Sequence, residues 1–371
     1  MPHLYPMRLH PEFHERVWGA RNLDPIYPGE IRGGPVGEVW LTGDQCRVAN
    51  GPLAGRTLDE LSRELGADFV GAAARDYSRF PLLIKFLFPK EKLSVQVHPD
   101  DETAVRMGEP CGKTECWYVL QAPPGTQVGL GLKPGVSKGH VGRAIHETRM
   151  EELLNWIDLR PGDLVYVDAG TVHTIGPGAV ILEVQQNSDT TYRLYDYGRP
   201  RELHIEAGMK AIKESTHAGK VKPQNAHAEN GKSRVNVVTS PCFVVDRFSL
   251  SQPWEFRRPQ HARRSVWCLV AIRGSGVVLS DGPEPISFNC GEVVVVPAAV
   301  EKVTVKPQRD LPPQDAQKPR VPGTPDLPPQ DAQQPRVPGT PDLEFLCSSL
   351  PVEMVEHPKT MLVENIATVA P

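Results

Sequence analysis

LSVQVHPDD, residues 93–101, alternates apolar and polar side chains with the two-residue period of a β-strand. One face of such a strand aims Ser94, Gln96 and His98 into a pocket, while Leu93, Val95 and Val97 turn the other way. This stretch reads as the first half of a metal site. The same spacing returns in GKTECWYVL, where Lys113 and Glu115 share one face and Thr114 and Cys116 the other. In RPGDLVYVDAGTVHTIG a β-rich run ends at Gly170, the chain turns, and His173 emerges just beyond. In AVILEVQQNSDTTYRLYDYGR, Ile181, Glu183, Gln185 and Asn187 share a parity, and Arg193 follows ten residues after Glu183.

Around these blocks the chain reads as an ordinary folded protein. Its 371 residues are long for one small core and suit two domains. Hydrophobic content of 39%, charged content of 23% and a net charge of −4 exclude disorder throughout and a broad basic surface for nucleic acid. No run of about 18 apolar residues is present to span a membrane. The opening MPHLYPMRLHPEFHERVWG lacks the apolar core and cleavage site of a secretory leader, so a cytoplasmic protein is expected. The seven cysteines (46, 111, 116, 242, 268, 290, 347) are odd in number and form no C-x-x-C pair, which argues against a disulfide framework and a zinc ribbon.

Short apolar runs such as GEVWLTG (37–43) predict strands. In RTLDELSREL, Thr57 and Glu60 predict a capping box and Leu58, Leu61 and Leu65 one helical face. PLLIKFLF (81–88) is a nearly continuous apolar strand whose single charge, Lys85, requires a partner or a task, because burying an unpaired ammonium is costly. Asp100 or Asp101 is expected to cap a short helix through Met107. Lys138 to Ile157 changes to a helical period, with Thr148 and Glu151 as a second capping box ahead of LLNWI. These helices interrupt one barrel. Residues 206–238 are polar without apolar periodicity and predict the domain connection.

The second half repeats the first in weakened form. PGDLVYVDAGTVH (161–173) aligns with CGEVVVVPAAVEK (290–302), matching Gly162 to Gly291 and Asp163 to Glu292 and placing Lys302 opposite His173. Matching Trp117 to Trp267 places Ser265 opposite Glu115. The expected architecture is mainly β: duplicated jelly-roll barrels with a few short helices, a metal-binding domain at 1–205, a metal-free one at 239–350 and a tail at 351–371. Within the second barrel, DLPPQDAQKPRVPGTP (310–325) is followed by a copy (326–341) differing only at Lys318 versus Gln334. Such proline-rich segments cannot bury a core, so the pair predicts an expanded, extended surface loop.

The four blocks KEKLSVQVHPDD, GKTECWYVL, GDLVYVDAGTVH and EVQQNSDTTYRLYDYGR resemble, in order and spacing, the signature of class I mannose-6-phosphate isomerases of the cupin superfamily in their short bacterial form. Weaker likeness runs from FHERVWGARNL to about Leu350. Asp168, Thr174 and the proline-rich repeat depart from the family pattern, and none of these removes a ligand. The resemblance implies that Gln96, His98, Glu115 and His173 bind one catalytic metal, expected to be Zn2+ with other divalent metals possible. Two imidazoles, a carboxylate and an amide oxygen leave room there for a water or substrate oxygen.

The implied reaction interconverts mannose 6-phosphate and fructose 6-phosphate by proton transfer between C2 and C1 through an enediol. Candidates for the general base are Lys113, Glu183 and Lys85, a lysine serving only if its pKa is depressed. Arg193 resembles the family's active-site arginine, against a competing reading as an ion pair with Asp189 or Asp196. Ser94 and Arg199 are candidate phosphate contacts. The expected partner is a small phosphosugar, not nucleic acid or membrane, and the chain is expected to be a monomer or weak homo-oligomer. The alternative is a catalytically silent sugar-phosphate-binding cupin protein.

Overall fold

The computed structural model describes residues 3–29, 33–258, 264–282, 284–308 and 341–352. The proline-rich pair, apart from its last residue, and the tail beyond 352 lie outside them. The described chain is mainly β, in three antiparallel sheets. A seven-stranded sheet runs in the order Gly219–Lys220, Leu164–Val167, Glu115–Gln121, Val180–Gln186, Leu82–Leu87, Val36–Thr42, Glu12–Ala20. A five-stranded sheet runs Tyr192–Tyr195, Val95–Val97, His173–Ile175, Gln127–Leu132, Leu154–Asp158. The third, ten-stranded sheet gathers the strands from Gln224 onward and adds Met7–Arg8 beside Val293–Val296.

Side-chain parity sorts these strands into layers. Trp117, Val119, Val165, Val167 and Ile181 of the seven-stranded sheet pack with Val128, Leu130 and Ile175 of the five-stranded sheet, forming the interior of the first barrel. Their neighbours Cys116, Tyr118, Leu182, Ile84 and Phe86 face outward onto Val245, Cys268, Val270 and Val295 of the ten-stranded sheet. Both faces of Leu82–Leu87 are therefore covered, which is why PLLIKFLF shows no polar alternation. Val95 and Val97 pack outward against Val141, Ala144 and Ile145 of the helix Lys138–His146, leaving Gln96 on the inner face. Leu93 departs from the expected parity: it precedes the strand and joins the inner cluster.

Local signals hold in several places. Thr57 and Glu60 form the capping box of Leu58–Leu65, and the Asp100 carboxylate accepts from the Thr103 amide at 2.8 Å to cap Asp101–Met107. The helical reading of LLNWI does not hold. After Lys138–His146 the chain makes a single 3₁₀ turn and then becomes the strand Leu154–Asp158, because pairing with Gln127–Leu132 supplies ladder hydrogen bonds that a local period cannot. The polar stretch 206–238 is also more ordered than expected: the helix Ile205–Ala211 reaches into it, and Gln224–Glu229 and Lys232–Thr239 form a hairpin. Asn230 and Gly231 both take positive φ at its turn, the requirement that makes Asn-Gly a hairpin signal.

The internal repeat is visible as a shared turn. Gly162 and Gly291 have φ of 87° and 88°, and each is followed by an acidic residue that accepts from a backbone amide three residues back, Asp163 from Arg160 and Glu292 from Asn289. The strands Leu164–Val167 and Val293–Val296 then follow in step. Strand register corrects the tryptophan alignment. Val167 pairs with Glu115, whereas its counterpart Val296 pairs with Trp267. Trp267, not Ser265, thus occupies the Glu115 position of the second half, and the buried Arg258 guanidinium lies 3.7 Å from its ring centroid.

Candidate metal centre and cavity

Inside the first barrel, register sets the site in rows. On the five-stranded sheet Gln96 lies opposite His173 on one side and Arg193 on the other. On the facing sheet Lys85 lies between Trp40 and Glu183, and Glu115 pairs with Gln185. The pleat aims these polar side chains into the interior.

His98, Glu115 and His173, each 2% exposed or less, bring their ligand-type atoms within 4.8 Å of one another. His98 Nδ1 donates to the Thr190 carbonyl at 2.8 Å and His173 Nδ1 to the Thr171 carbonyl at 3.0 Å, so both Nε2 atoms carry lone pairs. His173 Nε2 stands 3.3 Å from Glu115 Oε1, and His98 Nε2 3.7 Å from Glu115 Oε2. These are not ion pairs. Burial holds both imidazoles neutral, His173 down to about 4 and His98 well below the ordinary histidine range. His98 Nε2 and both Glu115 oxygens have no hydrogen-bond partner. Buried acceptors facing acceptors are costly unless a cation lies among them. Burial, then the charge of Glu183, accordingly pushes the Glu115 carboxyl up to about 8. This donor set fits a divalent metal. Gln96 lies beside it, its amide nitrogen 3.2 Å from His173 Nε2 and its oxygen accepting from the Ser94 hydroxyl at 3.1 Å; ligation through that oxygen requires the amide to turn over.

The cluster adjoins a cavity of about 790 Å³ whose lining includes Ser94, Gln96, Lys113, Glu183, Lys85 and Arg193. Lys113 Nζ is 3.7 Å from Glu115 Oε2. Glu183 accepts from the Trp117 indole at 2.8 Å and from Lys85 at 3.1 Å. Burial opposes its ionisation, but Lys85 and Lys113 outweigh that and hold it below the usual carboxylate range. Lys85 departs from the base expectation. Burial alone would lower it, yet the carboxylates of Glu183 and Glu38 raise it above the ordinary lysine value, so it stays protonated at neutral pH.

Arg193 makes no ion pair with Asp189 or Asp196 among the described residues, and its buried Nε has no partner. Asp196 is already engaged, by Arg199 at 2.7 Å and Arg201 at 2.6 Å. Arg199, a sequence candidate, is not brought to the cavity: besides Asp196 it binds the Lys92 carbonyl at 2.8 Å and faces Glu91. Arg201 lines the cavity instead, as do Arg16, Glu38 and His204, none of which the sequence singled out. The lone carboxylate in the otherwise uncharged GEVWLTG, matching the lone Lys85 in PLLIKFLF, is the signal that could have found Glu38.

Residues 7–114 match the family described as phosphomannose isomerase type I, catalytic domain. The Bacillus subtilis protein named "Probable mannose-6-phosphate isomerase GmuF" is 34% identical over 313 residues, 81% of this chain and 96% of that protein. The chain belongs to the type I mannose-6-phosphate isomerase family. A second relative, the mannose-6-phosphate isomerase of Streptococcus mutans, is 32% identical over 310 residues, covering 80% of this chain and 93% of its own. The crystal structure of the mannose 6-phosphate isomerase from Bacillus subtilis superposes with a TM-score of 0.74 at 29% identity, over 92% of this chain and 99% of that one. Family membership agrees with the cupin fold and with a metal-dependent isomerase built on the His98, Glu115 and His173 cluster.

Proposed function

We propose that this chain interconverts mannose 6-phosphate and fructose 6-phosphate, with Zn2+ held by His98, Glu115, His173 and a turned Gln96. The observation that carries this reading is the set of buried, unpartnered acceptors on His98 and Glu115 beside a cavity holding both a carboxylate and fixed cations. The donor set of two neutral imidazoles, a carboxylate and an amide suits zinc, which when bound supplies Lewis-acid polarisation of a sugar oxygen.

The chain's own residues account for the remaining demands of the reaction. A proton must leave C2 and return to C1 through an enediol, and one group within reach of both carbons can carry it both ways. Glu183 is ionised, faces the cavity and is fixed by two donors, and we assign it that role. Lys85 keeps its proton and balances Glu183. Lys113, in the loop leading into Glu115–Gln121, and Arg193, on Tyr192–Tyr195, bring positive charge to the cavity where enediolate and phosphate charge must be accommodated. Arg201 joins Arg193 as a phosphate contact in place of Arg199. We further read residues 1–205 as the catalytic domain and 239–350 as the second barrel, to which residues 7–8 and the hairpin at 224–239 lend strands. Seven cysteines without a disulfide suit a reducing cytoplasm.

A coupled assay with mannose 6-phosphate, before and after chelation and after adding Zn2+, tests the reading. Activity lost on chelation and restored by zinc is expected, with Glu183→Gln nearly inactive at unchanged metal content. A folded, zinc-loaded protein that binds the phosphosugar without turning it over would refute it in favour of a silent binder.

A further inference from the structure

Lys85 is enclosed by two carboxylates whose surroundings mirror one another. Glu183 gives one oxygen to Lys85 at 3.1 Å and the other to the Trp117 indole at 2.8 Å. Glu38, on the strand at the other side of Lys85, gives one oxygen to Lys85 at 3.5 Å and the other to the Trp40 indole at 2.9 Å and to Arg16 at 2.7 Å. Glu38 is 8% exposed and Lys85 3%. The Trp40 ring is itself held by the His14 ring, at 4.4 Å between centroids, with Lys85 Nζ 6.0 Å from its own centroid. All three charged groups line the same cavity.

The geometry makes the position of Lys85 a balance. An ammonium has three donors on a flexible stem, and with a single buried carboxylate in reach it would close fully onto that one. Glu38 supplies a second anchor on the opposite side. We propose that Glu38 is a positioning residue for the reaction: it tethers Lys85 on the side away from Glu183, so that Glu183 remains aimed at the cavity with a lone pair beyond those taken by Lys85 and Trp117 to carry the substrate proton. This rests on the assignment of Glu183 above. Glu38 acts through Lys85. Its effect should therefore fall on the chemical step and not on phosphosugar binding.

The test compares wild type with E38Q, E38D and W40F, all zinc-loaded and checked for metal content and circular dichroism. E38Q keeps the shape but replaces the anchor with an amide, and is expected to lower kcat about 10- to 100-fold with KM within about threefold, the pattern of a misplaced reacting group. E38D, which restores the charge on a shorter arm, should recover part of that loss. W40F removes the indole donor together with part of the ring, leaves the Glu38 charge in place and should cost less, about three- to tenfold in kcat; it also serves if E38Q does not fold. A wild type without turnover refutes the functional reading and this inference with it. An active wild type whose folded E38Q keeps kcat within about twofold, or whose loss lies entirely in KM, overturns this inference alone.

Discussion

Replacing Lys85 by Met removes the ammonium that Glu38 and Glu183 share while keeping an unbranched side chain of similar length. At an effective dielectric of about 20, contacts of 3.1 and 3.5 Å correspond to a gross attraction of ~10 kcal/mol. Most of that offsets the desolvation of three charged groups, and deleting one partner of a buried ionic set typically costs ~3–5 kcal/mol. A second route gives a similar figure. Burial would raise the Glu38 carboxyl, but Lys85 first and Arg16 second overcome it and hold the group at about 2 against an ordinary 4.5. That gap is worth ~3 kcal/mol of folding stability at neutral pH.

The sign of the pH dependence follows from the same shift. A carboxyl lowered in the folded state contributes stability that is fully present above 4.5 and is lost as pH falls toward about 2. Without Lys85, Glu38 and Glu183 either stay buried with less compensation or take up protons, which is hardest at neutral pH. The deficit of K85M is therefore expected to be ~3–5 kcal/mol at neutral pH and to shrink as the medium falls below about pH 4.5. Urea unfolding followed by circular dichroism, at about pH 7 and about pH 3, measures both. A deficit under ~1 kcal/mol at neutral pH, or one equally large in acid, would refute the picture of Lys85 as a shared counter-ion.

Three further outcomes are expected. His98→Ala and His173→Ala should each lower bound metal, read by elemental analysis of the purified protein, to a small fraction of one ion per chain, because each removes one of three close ligands; undiminished metal would place the ion elsewhere. Arg201→Ala should raise KM for the phosphosugar about tenfold or more, whereas Arg199→Ala should leave KM within about threefold, since only Arg201 reaches the cavity; equal effects would contradict that placement. Deleting one sixteen-residue copy, 326–341, should leave activity and the thermal midpoint unchanged, because the strands on either side, Lys302–Gln308 and Leu343–Ser349, make their pairings with other strands; a large loss of either would show that the repeat is part of the folded core.

What could be read from the chain divides along the range of the interactions involved. Gln96, His98, Glu115 and His173 were legible as candidates through the sequence blocks that resemble the family, and the strand period adds only that Gln96 faces inward while Val95 and Val97 pack outward. Glu38 was not, since its role appears only when Val36–Thr42, Leu82–Leu87 and Val180–Gln186 lie side by side in one register, joining residues 47 and 145 positions apart in the chain. The arginines show the same limit from the other direction. Arg199 and Arg201 are two residues apart and chemically identical, and both bind Asp196. What separates them are long-range contacts to the Lys92 carbonyl and the Glu91 carboxylate, which draw Arg199 away from the cavity and leave that place to Arg201. The hairpin at Asn230-Gly231 is a different case, because its turn signal was present and its strands were masked by polar side chains: Lys232–Thr239 is buried only at Val237 and Val238. Hydrophobic periodicity detects strands by the side they bury, so a strand near the end of a sheet with little to bury is invisible to it, and there the turn chemistry should decide.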